Sequence, residues 1–176
     1  MTELRLARHA DVPALQSLIA RSGRALSVGH YSPEQADAIT RHVFGVDTQL
    51  IDDGTYFVIE EAARIVACGG WSRRRTLFGG DQAKRGPDPL LDPATEPARI
   101  RAFFVDPDRA RRGFGSRIMD ACLAAAREAG FSALELVATL PGEPLYHAAG
   151  FQVEQRFELD LPDGVRVPVS RMRRGI

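Results

Sequence analysis

One stretch of this 176-residue chain restricts the fold more than any other: FFVDPDRARRGFGSRIMDACLAAAREAG, from Phe103 to Gly130. It reads as a strand ending at Val105, a glycine-containing turn, and an amphipathic helix. Phe114, Ile118, Cys122, Ala125 and Ala129 recur at helical spacing, and Gly130 supplies the stop. The first turn of such a helix carries backbone N–H groups with no internal partner and a partial positive charge, which together attract an anion. Gly113 and Gly115 remove side chains that would hold a phosphate away, Arg111 and Arg112 add charge, and Ser116 offers a hydroxyl. The segment is neither a Walker A loop nor a GxGxxG dinucleotide fingerprint. Taken alone, it also fits a basic turn whose glycines merely ease helix packing.

The flanking segments place this unit inside a mixed α/β chain. TELRLARH alternates like a strand, and Asp11 stands where it would cap a helix with Leu15, Leu18 and Ile19 on its apolar face. Ser32, Pro33 and Gln35 form a capping-box start for a second helix ending near Phe44. Thr55 to Glu60 and Arg64 to Trp71 read as a hairpin. Ser72 to Pro97, rich in glycine, proline and charge, reads as a long loop: either a functional, mobile element or a disordered insertion. After the central helix come a strand from Phe131 to Val137 and a short helix. That helix begins near Glu143, because Pro144 fits only a first turn, and closes at Gly150. Two antiparallel strands, Phe151 to Leu161 and Val165 to Arg173, join through Pro162 to Gly164. No repeat or linker divides the chain, so residues 1–176 read as one domain.

Composition narrows the function classes. The 23 Lys and Arg balance the 23 Asp and Glu, so the basic excess of a phosphate-contacting nucleic-acid binder is missing. No apolar run spans a bilayer, and the N-terminal segment lacks the apolar stretch of a secretory signal, so a cytoplasmic protein without membrane association is expected. Cys68 and Cys122 have no metal or redox spacing and sit among apolar residues, which favours buried thiols over a nucleophilic role. His9, His30, His42 and His147 form no HxH or HExxH pattern, so no metal is expected.

The glycine turn resembles the signature of the GCN5-related N-acetyltransferase superfamily, Gln or Arg, two residues, Gly, any residue, then Gly or Ala. Here it reads Ala110-Arg111-Arg112-Gly113-Phe114-Gly115, with both glycine positions matched. Ala110 departs from the first position, and Arg109 is one residue away as partial compensation. A second match, Leu145-Tyr146-His147-Ala148-Ala149-Gly150-Phe151, resembles that family's LYxxxGF segment, in the expected order. The resemblance implies one mixed, mostly antiparallel sheet flanked by helices and splayed at a cofactor groove. It implies acetyl-coenzyme A as cosubstrate. The amides from Arg111 to Ser116, including Phe114, would hold the pyrophosphate, and the strand edge at Phe103, Phe104 and Val105 would pair with the pantetheine arm and polarise the thioester carbonyl. Thr139, where many relatives have asparagine, would also face that arm, and Tyr146 would be the general acid. A homodimer is compatible with the resemblance.

The implied reaction is direct transfer of acetyl to a primary amine of a small molecule or peptide. The alternative is a regulatory module that binds acetyl-coenzyme A without transfer. Tyr146 also reads as an amphipathic ring anchoring a short helix. Glu60, Asp81, Glu96 and Glu135 are candidates for taking the amine's proton, although each reads first as a solvent-exposed charge. His147 is disfavoured as a catalyst because adjacent helical residues point apart. The acceptor side falls to the first two helices and the Ser72–Pro97 loop, with Tyr31, Phe44, Trp71 and Phe78 as candidate surfaces. Arg73-Arg74-Arg75 reads as a solvated run or as an attractor of an anionic acceptor.

Overall fold

A computed structural model describes all residues, 1–176. Seven strands form one sheet in the order β1-β2-β3-β4-β5-β7-β6: β1 (Thr2–Leu6), β2 (Tyr56–Glu61), β3 (Arg64–Ser72), β4 (Ala98–Val105), β5 (Ala133–Thr139), β6 (Gln152–Asp160) and β7 (Arg166–Gly175). Every neighbouring pair is antiparallel except β4 and β5. Five helices accompany it: α1 (Val12–Ser27), α2 (Pro33–His42), α3 (Thr48–Asp52), α4 (Phe114–Glu128) and α5 (Glu143–Ala148). None is long and apolar enough to cross a membrane.

The helices cover both faces because their apolar stripes require it. Leu15, Leu18 and Ile19 of α1 pack on Tyr56, Val58, Cys68 and Phe104. Ile118, Met119, Cys122 and Ala126 of α4 pack on the opposite face, against Val66, Ala67, Ile100 and Leu134. A smaller cluster seats Ala38 and Ile39 of α2 on Val167 and Val169 of β7. The central strand β3, covered on both sides, is buried from Ile65 to Ser72.

The Ser32–Gln35 capping box forms as its spacing predicts. Asp11 does stand before α1, but its side chain caps nothing there. A 3₁₀ turn over His9–Asp11 directs its carboxylate back to the Arg5 guanidinium, at 2.8 and 3.0 Å, and to the Arg8 N–H. The short helix α3 was not legible in the sequence. The Ser72–Pro97 segment is pinned at several points. Arg74 pairs with Leu90 across a bridge, Leu91 is buried, and the Arg74 guanidinium grips Asp53 at 2.7 and 2.9 Å.

Candidate active site

Strands β4 and β5 start side by side and then part. They pair only at Ala98 with Leu134 and Arg99 with Glu135, although β4 continues to Val105 and β5 to Thr139. The β4 edge beyond Arg99 therefore faces a wedge rather than a strand. Within that stretch, the register with β3 shifts between Cys68 and Gly70. Opposite the shift, Ala102 takes a φ of 55°, a left-handed conformation that costs a non-glycine residue on the order of 1–3 kcal/mol. Two side chains hold it there: the Tyr56 hydroxyl donates to the Ala102 carbonyl at 3.0 Å, and the Cys68 thiol donates to the same oxygen at 3.8 Å. A trans peptide sends the following N–H, that of Phe103, the opposite way. Gly69 leaves room for the bulge, since a Cβ there would lie 2.7 Å from the Phe103 ring.

The glycine turn lies between β4 and α4. Asp106, nearly fully buried, anchors its start by accepting from Arg21 at 3.2 Å, Arg64 at 3.0 Å and the Asp108 N–H at 3.0 Å. Arg111 and Gly113 both adopt left-handed φ values, 62° and 80°. Gly113 is the residue before α4, and that conformation favours glycine there. The N–H groups of residues 111 to 116 make no hydrogen bond within the protein, and the turn at 111–113 is exposed. Successive unpartnered amides in left-handed geometry at a helix start form an anion-binding concavity. Gly115 serves packing as well: a Cβ there would meet Leu145 of α5 at 3.2 Å. The arginines are arranged differently from the sequence expectation. Arg109 does not stand in for the residue missing at Ala110, because its Nε binds Glu61 at 2.6 Å. Arg112 also pairs with Glu61, at 3.3 Å, and stacks over the Phe114 ring. The Phe114 ring lies in the core, so only its backbone is available to a ligand.

A cleft of about 110 Å³ runs from the wedge to the space between α1, α2 and the Leu77–Gly79 loop. Phe103, Phe104, Thr139 and Tyr146 all line it, which brings together four of the residues singled out in the sequence. Val105 lies on the β4 edge without lining it. Tyr146 is wedged edge-on between Phe103 and Phe151, with ring centroids 6.2 and 6.1 Å away, and its hydroxyl has no protein partner. Burial pushes that hydroxyl well above its ordinary titration range, so it stays protonated. Ser116 instead lines a separate groove between α4 and α5.

Several expectations for the acceptor side need correction. Trp71 is buried beneath α4 against Phe131, on the far face of the sheet. Tyr31 does not line the cleft: its hydroxyl donates to the Pro168 carbonyl at 2.8 Å and accepts from the Leu140 N–H at 3.0 Å, tying the α1–α2 connection to β7. Phe44 and Phe78 do line it. Arg74 is spent on Asp53, Arg75 pairs with Glu96 at 3.2 Å, and Arg73 stacks over Trp71. None of the four proposed bases reaches the cleft. Glu60 accepts from Arg5, Asp81 bonds the Thr48 N–H and hydroxyl, and Glu96 accepts from the Asp92 N–H. Glu135 sits between Arg99 at 3.3 Å and Arg171 at 3.6 Å. His147 is exposed and 3.9 Å from Glu143. The Cys68 thiol is inaccessible, and burial pushes it up to about 12, leaving no thiolate for a covalent route.

Sequence reasoning missed Arg101, which lines the cleft beside the bulge. Its guanidinium is almost wholly buried and binds Asp47 at 3.0 Å, the Gly79 carbonyl and the Thr76 carbonyl. Asp47 also holds Lys84 at 2.7 Å. This cluster ties the loop to β4. The partner is 54 residues away in sequence, so no local signal could have announced it.

Comparison with known proteins agrees with this arrangement. No curated protein sequence matches the chain. Solved structures do match in fold. A GCN5-related N-acetyltransferase from Rhodopseudomonas palustris superposes with a TM-score of 0.70 at 17% identity, over 100% of this chain and 96% of that one. The PaiA N-acetyltransferase of Thermoplasma acidophilum, solved with coenzyme A, gives 0.66 at 11% identity, over 100% and 99%. The ribosomal-protein-S18-alanine N-acetyltransferase of Escherichia coli gives 0.61 at 16% identity, over 100% and 94%. The model of the acetyltransferase (GNAT) family matches residues 22–151, most of the chain and all of the wedge, turn and Tyr146 segment. With that match, the chain belongs to the GCN5-related N-acetyltransferase family, whose cosubstrate is acetyl-coenzyme A.

Proposed function

We propose that residues 1–176 work as one acetyl-coenzyme A-dependent N-acetyltransferase unit that moves the acetyl group directly to a primary amine of a small molecule or peptide. The observation that carries this reading is the run of unbonded N–H groups from 111 to 116, set beside a β4 edge that has lost its β5 partner. The concavity suits a pyrophosphate, and the free edge suits an amide-bearing arm. When bound, acetyl-coenzyme A supplies the activated acyl group.

The chain's own residues have separable roles. Arg111, Arg112, Gly113, Phe114, Gly115 and Ser116 present the amides, and the exposed Arg111 adds a charge. Phe103, Phe104 and Val105 hold the strand edge, and the Ala102 bulge aims the Phe103 N–H where a thioester oxygen can accept it. A preorganised donor of this kind stabilises the oxyanion that develops on attack. Thr139 offers one hydroxyl beside the wedge. Tyr146 is the general acid, held protonated by burial and free to donate to the departing sulfur. No carboxylate or imidazole lines the cleft, so water carries the proton away from the amine. A binding module without transfer is disfavoured because the cleft continues past the wedge toward α1 and α2.

The test replaces Tyr146 by Phe, which keeps the ring packing and removes the donor. Acetyl-coenzyme A affinity should stay within about twofold. Acceptor-dependent thiol release should fall on the order of 100-fold, the usual scale for one general acid. Unchanged turnover would remove Tyr146 from the mechanism.

A further inference from the structure

The cleft also carries information about the acceptor, on the assumption that the transfer reading above holds. On the side away from the glycine turn, its walls come from Leu26 of α1, Ile39 of α2 and Val43 just after it, Phe78 of the loop, Leu159 of β6 and Val169 of β7. Among all 22 lining residues there is no Asp, Glu, His or Lys. The one charged member is Arg101, and its charge is already matched by Asp47. Lys84 bonds the same Asp47 and lies 4.0 Å from Asp88, so two carboxylates offset two cations. No negative charge is left over for an acceptor's ammonium, and no unpaired cation for an acceptor's carboxylate.

We infer that this cleft selects an apolar monoamine, an alkyl or arylalkyl amine whose only polar group is the reacting nitrogen. A polyamine would have to place a second ammonium against the buried Ile39 and Val169 with no carboxylate partner, which is unfavourable. An amino acid would meet the same difficulty through its carboxylate. An aminoglycoside would leave many hydroxyls unsatisfied. The apolar wall is finite, so the gain from added carbon should level off once it is covered.

The experiment measures kcat/KM for acetylation along straight-chain alkylamines of increasing length, with 1,4-diaminobutane, glycine and 2-phenylethylamine beside them. In parallel, calorimetry reads binding of the same amines to protein saturated with coenzyme A. Each added methylene should raise kcat/KM about threefold to fourfold until the cleft is filled. Against the alkylamine of equal length, 1,4-diaminobutane should be at least tenfold poorer. Phe78→Asp, at an exposed loop position, should lower kcat/KM for phenylethylamine and raise it for the diamine. A flat length dependence, or a preference for the diamine or glycine, would overturn the inference. If calorimetry reports the apolar preference while no amine is acetylated, the specificity inference stands and the transfer reading fails.

Discussion

Replacing Asp47 by Asn isolates the charge that holds the loop against β4. The carboxylate and the Arg101 guanidinium are each 1% exposed and 3.0 Å apart. One Asp47 oxygen also caps α3 through the Gln49 N–H at 3.0 Å and receives Lys84. Asparagine can keep its oxygen toward Gln49, but its NH₂ then faces a guanidinium that can only donate. Removing one partner of a buried ion pair costs about 3–5 kcal/mol, because the other charge is stranded. For a chain of this size, each kcal/mol shifts the midpoint by about 2–4 °C, so the thermal transition should fall by about 6–20 °C. The control is Asp47→Asn with Arg101→Met, which removes the stranded charge and fills the space with an apolar chain. It should recover most of the lost stability, since the two sites are directly coupled. Thermal unfolding followed by circular dichroism provides the measurement. A shift below 2 °C for the single variant, or a double variant no better than the single, would show that the cluster does not bear the load argued for it.

Three further outcomes follow from the same structure. Gly113→Ala imposes a left-handed φ of 80° on an alanine that meets no atom within 4 Å, so its effect is backbone strain of about 1–2 kcal/mol. If the amides shift to relieve that strain, the acetyl-coenzyme A Kd should rise about tenfold by calorimetry, a change of about 1.4 kcal/mol. Gly164→Ala, also at φ 80° in open space but on the β6–β7 turn, should leave that Kd unchanged. Because burial keeps Tyr146 protonated above the ordinary tyrosine range, kcat/KM should rise with pH toward the acceptor's own pKa, near 10 for an alkylamine, with no falling limb below about pH 10. A falling limb near pH 8 to 9 in a stopped assay would contradict the assignment. At the acid end, Arg5 holds Asp11, and Arg74 holds Asp53, below the ordinary carboxylate range. Their folded pKa values lie under the unfolded value of about 4, so this stabilisation is complete above that pH and lost as pH falls through the folded values. Urea midpoints at pH 6 and pH 3 should therefore converge more closely for Asp53→Asn than for the parent protein.

The parts of the fold that were legible in the sequence are those set by local chemistry. Ser32, Pro33 and Gln35 begin α2 because a capping box needs only residues three apart. Gly113 and Gly130 bracket α4 because both take positive φ. Tyr146 and the glycine turn were legible through their pattern. What stayed hidden depends on partners far away in sequence. Ala102 carries no compositional mark of its φ of 55°, because Tyr56 and Cys68 impose the bulge. Arg101 looked like one more polar residue in RIRAFFV, and only Asp47 and the loop carbonyls explain its burial. Ser72 to Pro97 read as either a functional, mobile loop or a disordered insertion because several of its ties reach outside the segment, to Asp53, Asp47 and Phe44. Trp71 was misplaced because a strand buried on both faces gives no alternation to say which side its ring takes.

The most direct test of the central claim is acceptor-dependent release of free thiol from acetyl-coenzyme A by the intact protein, with the mass of the amine product read in the same reaction. The account predicts that thiol appears only when a primary amine is supplied, in one-to-one amount with a product heavier by one acetyl group. Failure to bind acetyl-coenzyme A at all, or tight binding with no acetylated product from any primary amine, would contradict it.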